Sequence, residues 1–316
     1  MKRGDPEERD LSPAETKAFR SLVMKLRWPA QKLLTQVLYG VSALAQKVNE
    51  AKVKHVKEIN RLVKVAQEER HAGRAKVTHR PIDLSNPCIV TYFDASLGKE
   101  EGYKSQAGMV TFASDGKVLE KMTNCNRVEA HSKKITRVVK SSLAAESASL
   151  SMAVDKHLYS RVLFQALMYG EGRIGADWRK DLTVEGYVVT DARALFDHIT
   201  TTGSLPAERA TMMDLLAAKE MIEQALFTMR WVPTQHQFAD HLTKTMICEL
   251  NRKYLGTGQT CLIQTGADAA HEEHKAKLRK AQRERRKVRM KAGPSAPKES
   301  EKIPNKKTTR GTKFTI

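Results

Sequence analysis

Four acidic residues stand where a chain could do chemistry: Asp94, Glu146, Asp191 and Asp240. Their contexts are Tyr92-Phe93-Asp94-Ala95-Ser96, Ser142-Leu143-Ala144-Ala145-Glu146-Ser147, Val188-Val189-Thr190-Asp191-Ala192 and Phe238-Ala239-Asp240-His241-Leu242. Each closes an apolar strand-like run or opens a helix-like one. Acids placed that way are expected to project from the rim of a sheet into one shared pocket. A single Asp at a strand end is more often a helix cap; four in this order argue for more. Four carboxylates cannot stay ionised at close range unless cations neutralise them. The natural occupants are two hard divalent ions, Mg²⁺ first and Mn²⁺ as its substitute. Such a centre points to phosphodiester hydrolysis.

The elements that must position these acids follow from the apolar pattern. Residues 1–13 are expected to be disordered. From 14 to about 80 the pattern is helical, with apolar residues at Phe19, Leu22, Val23 and Leu26 and again at Val37, Leu38, Val41 and Leu44, and with Pro29 breaking or starting a helix. A basic amphipathic stretch follows, striped by Val53, Val56, Ile59, Leu62 and Val63; it is either a solvated helix or one lying along a phosphate backbone. Strands are predicted at 88–93, 107–112 and 117–122, the last two joined through Ser114-Asp115-Gly116. Ser141 or Ser142 should cap a long helix to Tyr169. A strand at 184–190, helices at 192–199 and 206–225, a strand at 227–232 and a helix from Phe238 complete a βββαβαβα order with one extra helix. That order gives an α/β fold, a mixed five-stranded sheet flanked by helices, over 87–250.

Charge adds a partner class. The chain has 316 residues and a net charge of +19. Residues 271–316 hold 16 Lys and Arg against 5 Asp and Glu, so more than half of that excess sits in the tail. Such a chain is drawn to polyanions, nucleic acid first. Residues 256–316 read as a linker and a basic low-complexity tail, either a nonspecific binder or a nuclear targeting signal. No 18-residue apolar run predicts a membrane span, and the first residues do not read as a signal peptide. Cys88, Cys125, Cys248 and Cys261 lack metal-ligand spacing and fit reduced thiols in an intracellular protein, cytoplasmic or nuclear.

The local words then become specific. Ser141-Ser142-Leu143-Ala144-Ala145-Glu146, Thr190-Asp191 and Val232-Pro233-Thr234-Gln235-His236-Gln237-Phe238-Ala239-Asp240-His241-Leu242-Thr243-Lys244, with Asp94 ahead of them, occur in the order of a known domain. Residues 87–248 resemble the ribonuclease H domain of copia-type LTR retrotransposon polyproteins. Residues 16–70, opening with Phe19-Arg20-Ser21-Leu22-Val23, look more loosely like the helical segment after the reverse transcriptase palm in those polyproteins. No Tyr-x-Asp-Asp polymerase word and no His/Cys zinc module is present in the sequence. A Glu opening the helix after the third strand favours ribonuclease H over transposase or integrase.

The resemblance implies Mg²⁺-dependent hydrolysis of the RNA strand of RNA–DNA hybrids. Two ions about 4 Å apart would clamp the scissile phosphate. Asp94 would bridge both, Glu146 and Asp191 would hold mainly one and Asp240 the other. Hybrid selection would use 2′-hydroxyl contacts across the minor groove. Ser96 and the backbone from Ser96 to Gly98 and near Glu146 are expected to contribute there. The segments 97–105 and 125–140 are expected to be loops around the site, the second crowded by Lys133, Lys134, Arg137 and Lys140 as nucleic-acid contacts. His236 is either a proton shuttle or a solvent-facing loop residue. The alternative is a retroelement-derived binder of nucleic acid without turnover. A reverse transcriptase palm, in cis or in trans, is the implied protein partner.

Overall fold

The computed structural model describes residues 6–260, except 101–103, 171–174, 176, 202, 204 and 247. Cys261 and the basic tail lie outside the described residues. Three helices come first: α1 Pro13–Lys32, α2 Leu38–Ala45 and α3 Val53–His71. Strands β1 Pro87–Glu100 and β2 Lys104–Asp115 follow, then the short β3 Thr123–Asn124 and β4 Asn126–Ile135. Helix α4 Ser142–Tyr169, the single turn α5 Trp178–Asp181, strand β5 Glu185–Thr190 and helices α6 Arg193–Thr200 and α7 Arg209–Glu223 lead to β6 Thr228–Trp231. Helix α8 Glu249–Thr257 and β7 Gln259–Thr260 close the described chain.

The main sheet has five strands in the order β4-β2-β1-β5-β6. β1 is antiparallel to β2, and β2 to β4. β5 runs parallel to β1, and β6 parallel to β5. This is the expected mixed sheet flanked by helices, a ribonuclease H-like architecture. Its two faces can be read along β1, because side chains alternate. Cys88, Val90 and Tyr92 enter an apolar cluster with α1, α2, α3, Phe238, Leu242 and Tyr254. Phe93 enters another with Leu150 and Val154 of α4, Leu195 of α6 and Leu215 of α7. One continuous apolar cluster thus joins the helices 13–71 to the sheet.

Several local expectations are corrected. The third strand of the sheet is Asn126–Ile135, not 117–122. Asp115 accepts from the Lys117 N–H and caps a 3-10 turn over Gly116–Leu119, so the predicted hairpin does not form there. β4 was obscured by its charged residues, which suit an edge strand with one wet face. Lys133 and Lys134 therefore lie on a strand, paired with Ala107 and Gln106, and not in a loop. Pro29 lies inside α1, which ends one turn later; its ring removes one N–H from the helical ladder shortly before the helix stops at Lys32.

Both flanks of the chain are also more ordered than expected. Residues 6–12 are held by charge and by a cap. Glu8 pairs with Lys52 and Lys54, Glu7 pairs with Lys57, and Ser12 with Glu15 forms a capping box on α1. Residues 256–260, read as the start of a linker, end α8 and pair with β3. The segment from Phe238 is not an α-helix; Asp240–Leu242 is one 3-10 turn. Among the described residues no helix is long and apolar enough to cross a membrane.

Candidate active site

Asp94 sits near the end of the apolar part of β1, on the face that carries Tyr92. Opposite it in β2 is Gly108. A Cβ at Gly108 would lie 2.7 Å from Leu242 Cβ and 2.9 Å from Thr243 Cγ2. Glycine is needed here for close approach: it lets the 239–243 turn rest directly on the sheet. Phe238 anchors that turn edge-on to Tyr92, Phe112 and Tyr254, with ring centroids 5.1, 5.2 and 5.8 Å away. Thr243 then donates its hydroxyl to Asp94 Oδ2, and Lys244 forms an ion pair with Asp240 Oδ1.

Glu146 arrives from the other face. Ser141 caps α4 by accepting from the Ala144 N–H, and Ser149 Oγ donates to the Asp94 carbonyl at 2.8 Å. The first turns of α4 are thereby fastened to β1. Glu146 accepts from the Ala95 backbone, while its Oε2 is buried without a partner. Asp191 follows β5 and is held by Thr234 Oγ1 at 2.8 Å and Gln237 Nε2 at 3.3 Å. Gln237 Nε2 also donates to the Phe93 carbonyl at 2.9 Å, tying the segment before Asp240 to β1.

The electrostatics show that the four acids share one field. Burial pushes the Asp94 carboxyl up to about 7, with Asp191 and Asp240 adding repulsion and the Thr243 hydrogen bond and Lys244 opposing it. Glu146 is raised well above the ordinary carboxylate range, by burial first and then by Asp94 and Asp191. Among the described residues, no group of three or more His, Cys, Asp or Glu is arranged as a ligand cage. The reason is visible in the partners: Asp94 turns to Thr243, Asp240 to Lys244, and Asp191 to Thr234 and Gln237. The donor set nevertheless fits hard divalent ions. It is all carboxylate oxygen, it contains an orphaned buried oxygen, and burial with mutual repulsion makes two of its members resist ionisation.

Other expected contacts sit differently. Ser96 is only 5% exposed and pairs with Gln106 inside the sheet, because β1 continues past it; its side chain has no open surface to offer a nucleic acid. The Gly98 N–H is taken by Ser105 Oγ at 3.1 Å. Arg137 is engaged by Asp214, which also accepts from Ser147 Oγ at 3.1 Å. Asp214, on α7, is mostly buried in that pair. Lys133 and Lys140 are exposed and Lys134 is half-buried. His236 is exposed in a 3-10 turn. His241, in contrast, is buried, and burial lowers its pKa to about 3, so it is a neutral core residue. Gly108, Gln237 and Thr243 position the acids and were given no role from sequence. Thr243 and Gln237 lie within the long word around Asp240; Gly108 had no signal beyond a glycine inside a strand.

No protein-family model and no curated protein matches this chain. Solved structures similar to it include LC11-RNase H1, isolated from compost by a metagenomic approach, with 18% identity and a TM-score of 0.33 over 53% of this chain and 98% of that one. RNase H1 from the halophilic archaeon Halobacterium salinarum has 16% identity and a TM-score of 0.30, covering 49% and 93%. The PFV RNase H domain has 15% identity and a TM-score of 0.30, covering 55% and 94%.

Proposed function

We propose that this chain is a divalent-metal-dependent ribonuclease H that cuts the RNA strand of RNA–DNA hybrids and derives from a copia-type retrotransposon polyprotein. One observation carries the reading most: the buried, unpartnered Oε2 of Glu146 beside an Asp94 that resists ionisation, in the shared field of Asp191 and Asp240. A fold that gains nothing from an unsatisfied acid keeps it for chemistry. The family words around all four acids give the same assignment.

In this reading Asp94, Glu146, Asp191 and Asp240 hold two Mg²⁺ ions. Bound there, the ions would supply Lewis-acid stabilisation of the scissile phosphate and an activated water. The rest is done by the chain. Thr243 fixes the rotamer of Asp94. Gln237 couples Asp191 to the backbone of β1, so the two strand-end acids move as one body. The α4 cap and Ser149 set the height of Glu146 against Asp94.

The test is cleavage of a hybrid labelled on its RNA strand, in Mg²⁺, by wild type and by Asp94→Asn. Wild type should cut and the variant should not; equal activity ends the reading. A second reading is favoured by the absence, among the described residues, of a ready ligand cage: a retroelement-derived protein that binds nucleic acid without turnover. It predicts salt-sensitive hybrid binding and no cleavage by wild type.

A further inference from the structure

We propose that Lys244 is a resident counter-cation of the acid cluster, which yields Asp240 to a divalent ion and then grips a phosphate of the bound nucleic-acid strand. The inference rests on the metal-dependent reading above and assigns a residue that the reading leaves idle. Lys244 is ion-paired with Asp240 and lies within the field of Asp94 and Asp191. Positive charge therefore already stands where a metal ion must come. Like charges repel at that range, so ion binding and the Lys244–Asp240 contact oppose each other.

The chemistry of the pair suits exchange. Two carboxylates of this chain are each held by a guanidinium fork. Arg74 grips Glu69 through Nε at 2.7 Å and Nη2 at 2.8 Å, and Arg61 grips Glu58 through Nε at 2.8 Å and Nη2 at 2.6 Å. Asp240 is held instead by a single ammonium on a flexible stem. The Lys244 side chain is 37% exposed while Asp240 is 9% exposed, so the lysine has solvent to move into and the acid does not. Beyond it, Thr245 and Met246 line a groove of mixed charge with Arg61, Arg252, Glu68 and Glu69. A lysine released at that rim stands beside the acids that would hold the scissile phosphate. A neighbouring phosphate of the same strand is the anion its charge would meet.

The experiment uses the full chain as wild type, Lys244→Met and Lys244→Arg, each checked by thermal melting. Mn²⁺ is titrated calorimetrically without nucleic acid. Hybrid affinity is measured by anisotropy across a salt series in Ca²⁺. Loss of the competing ammonium should tighten Mn²⁺ binding roughly tenfold in Lys244→Met. Its hybrid affinity should fall, with a salt slope shallower by about 1. Lys244→Arg, able to lock Asp240 with a fork, should bind Mn²⁺ more weakly than wild type. Should the methionine variant fail to fold, Lys244→Gln carries the same comparison. If wild type binds Mn²⁺ and the neutral variants bind no tighter, or keep the hybrid slope, this inference is overturned and the metal reading stands. If wild type and every variant ignore Mn²⁺, both fall.

Discussion

Two buried polar regions flank the sheet, and they are built on opposite terms. At one end Arg127, 5% exposed, donates to the Lys32 carbonyl at 2.8 Å and to Thr35 Oγ1 at 3.4 Å. Asn251 Nδ2 reaches the same hydroxyl at 3.2 Å, and Tyr254 both accepts from the Arg127 N–H at 3.1 Å and donates to the Cys125 carbonyl at 2.9 Å. That network joins α1, β4 and α8, and its cation finds fixed oxygen acceptors within the chain. At the other end one ammonium pairs with Asp240 in the field of Asp94 and Asp191, and a carboxylate oxygen of Glu146 finds nothing. The first region supplies cohesion. The second holds charge that the fold does not balance, which is what a site completed by something from outside looks like.

The comparison breaks if substitutions at the two ends behave alike. The largest effect should come from Asp94→Asn: hybrid cleavage should fall by at least about 10³-fold, while the melting temperature at pH 8 holds or rises, because a repelled buried charge is gone. Gly108→Ala should come next. Its methyl would press on Leu242 and Thr243, lifting the turn that carries Asp240, and a shift of this kind can cost roughly 10²-fold in turnover. Arg127→Leu should do the reverse. It leaves the Lys32 carbonyl without its guanidinium donor and Thr35 Oγ1 with Asn251 alone, for about 2–3 kcal/mol of stability in urea unfolding, with cleavage per folded molecule kept.

pH gives the next sharpening. The folded pKa of Asp94 is raised to about 7 and that of Glu146 is raised as well, so the folded state binds more protons than the unfolded one above the ordinary carboxylate range, for Asp94 up to about 7. Stability from this site is therefore present at low pH and lost as pH rises through that window. Without divalent ions the melting temperature should drop by roughly 5 °C between pH 5 and pH 8, and Mg²⁺ should restore most of it at pH 8. The smallest effect should be Ser147→Ala, which frees one hydrogen bond to Asp214 and should cost about 1 kcal/mol by the same unfolding measurement.

How much of this was legible in the sequence depends on what each element shows to its neighbours. β1, β5 and α4 were plain, because strands buried on both faces and a long capped helix write continuous apolar runs. β4 was hidden, because Arg127, Glu129, His131 and Lys133 interrupt its apolar positions, Arg127 at a buried one, and the strand reads as a loop. The acids could be named from their places at element ends and from the words around them. Their present partners could not. Thr243 on Asp94, Lys244 on Asp240 and Gln237 on Asp191 are contacts set by where one 3-10 turn lands on the sheet. That landing depends on the absence of a side chain at Gly108, which no periodicity reveals. The basic residues at 133–140 were legible as charge but not as geometry: Arg137 had already been taken by an acid from α7.

The central claim is that Asp94, Glu146, Asp191 and Asp240 are completed by divalent ions. The most direct measurement is an anomalous difference map from crystals of the full chain soaked in Mn²⁺. Peaks among the four carboxylates, one of them at Glu146 Oε2, with Lys244 swung away from Asp240, are the expected result. A map empty at that place, with the lysine still on Asp240 and Glu146 Oε2 still alone, would contradict it.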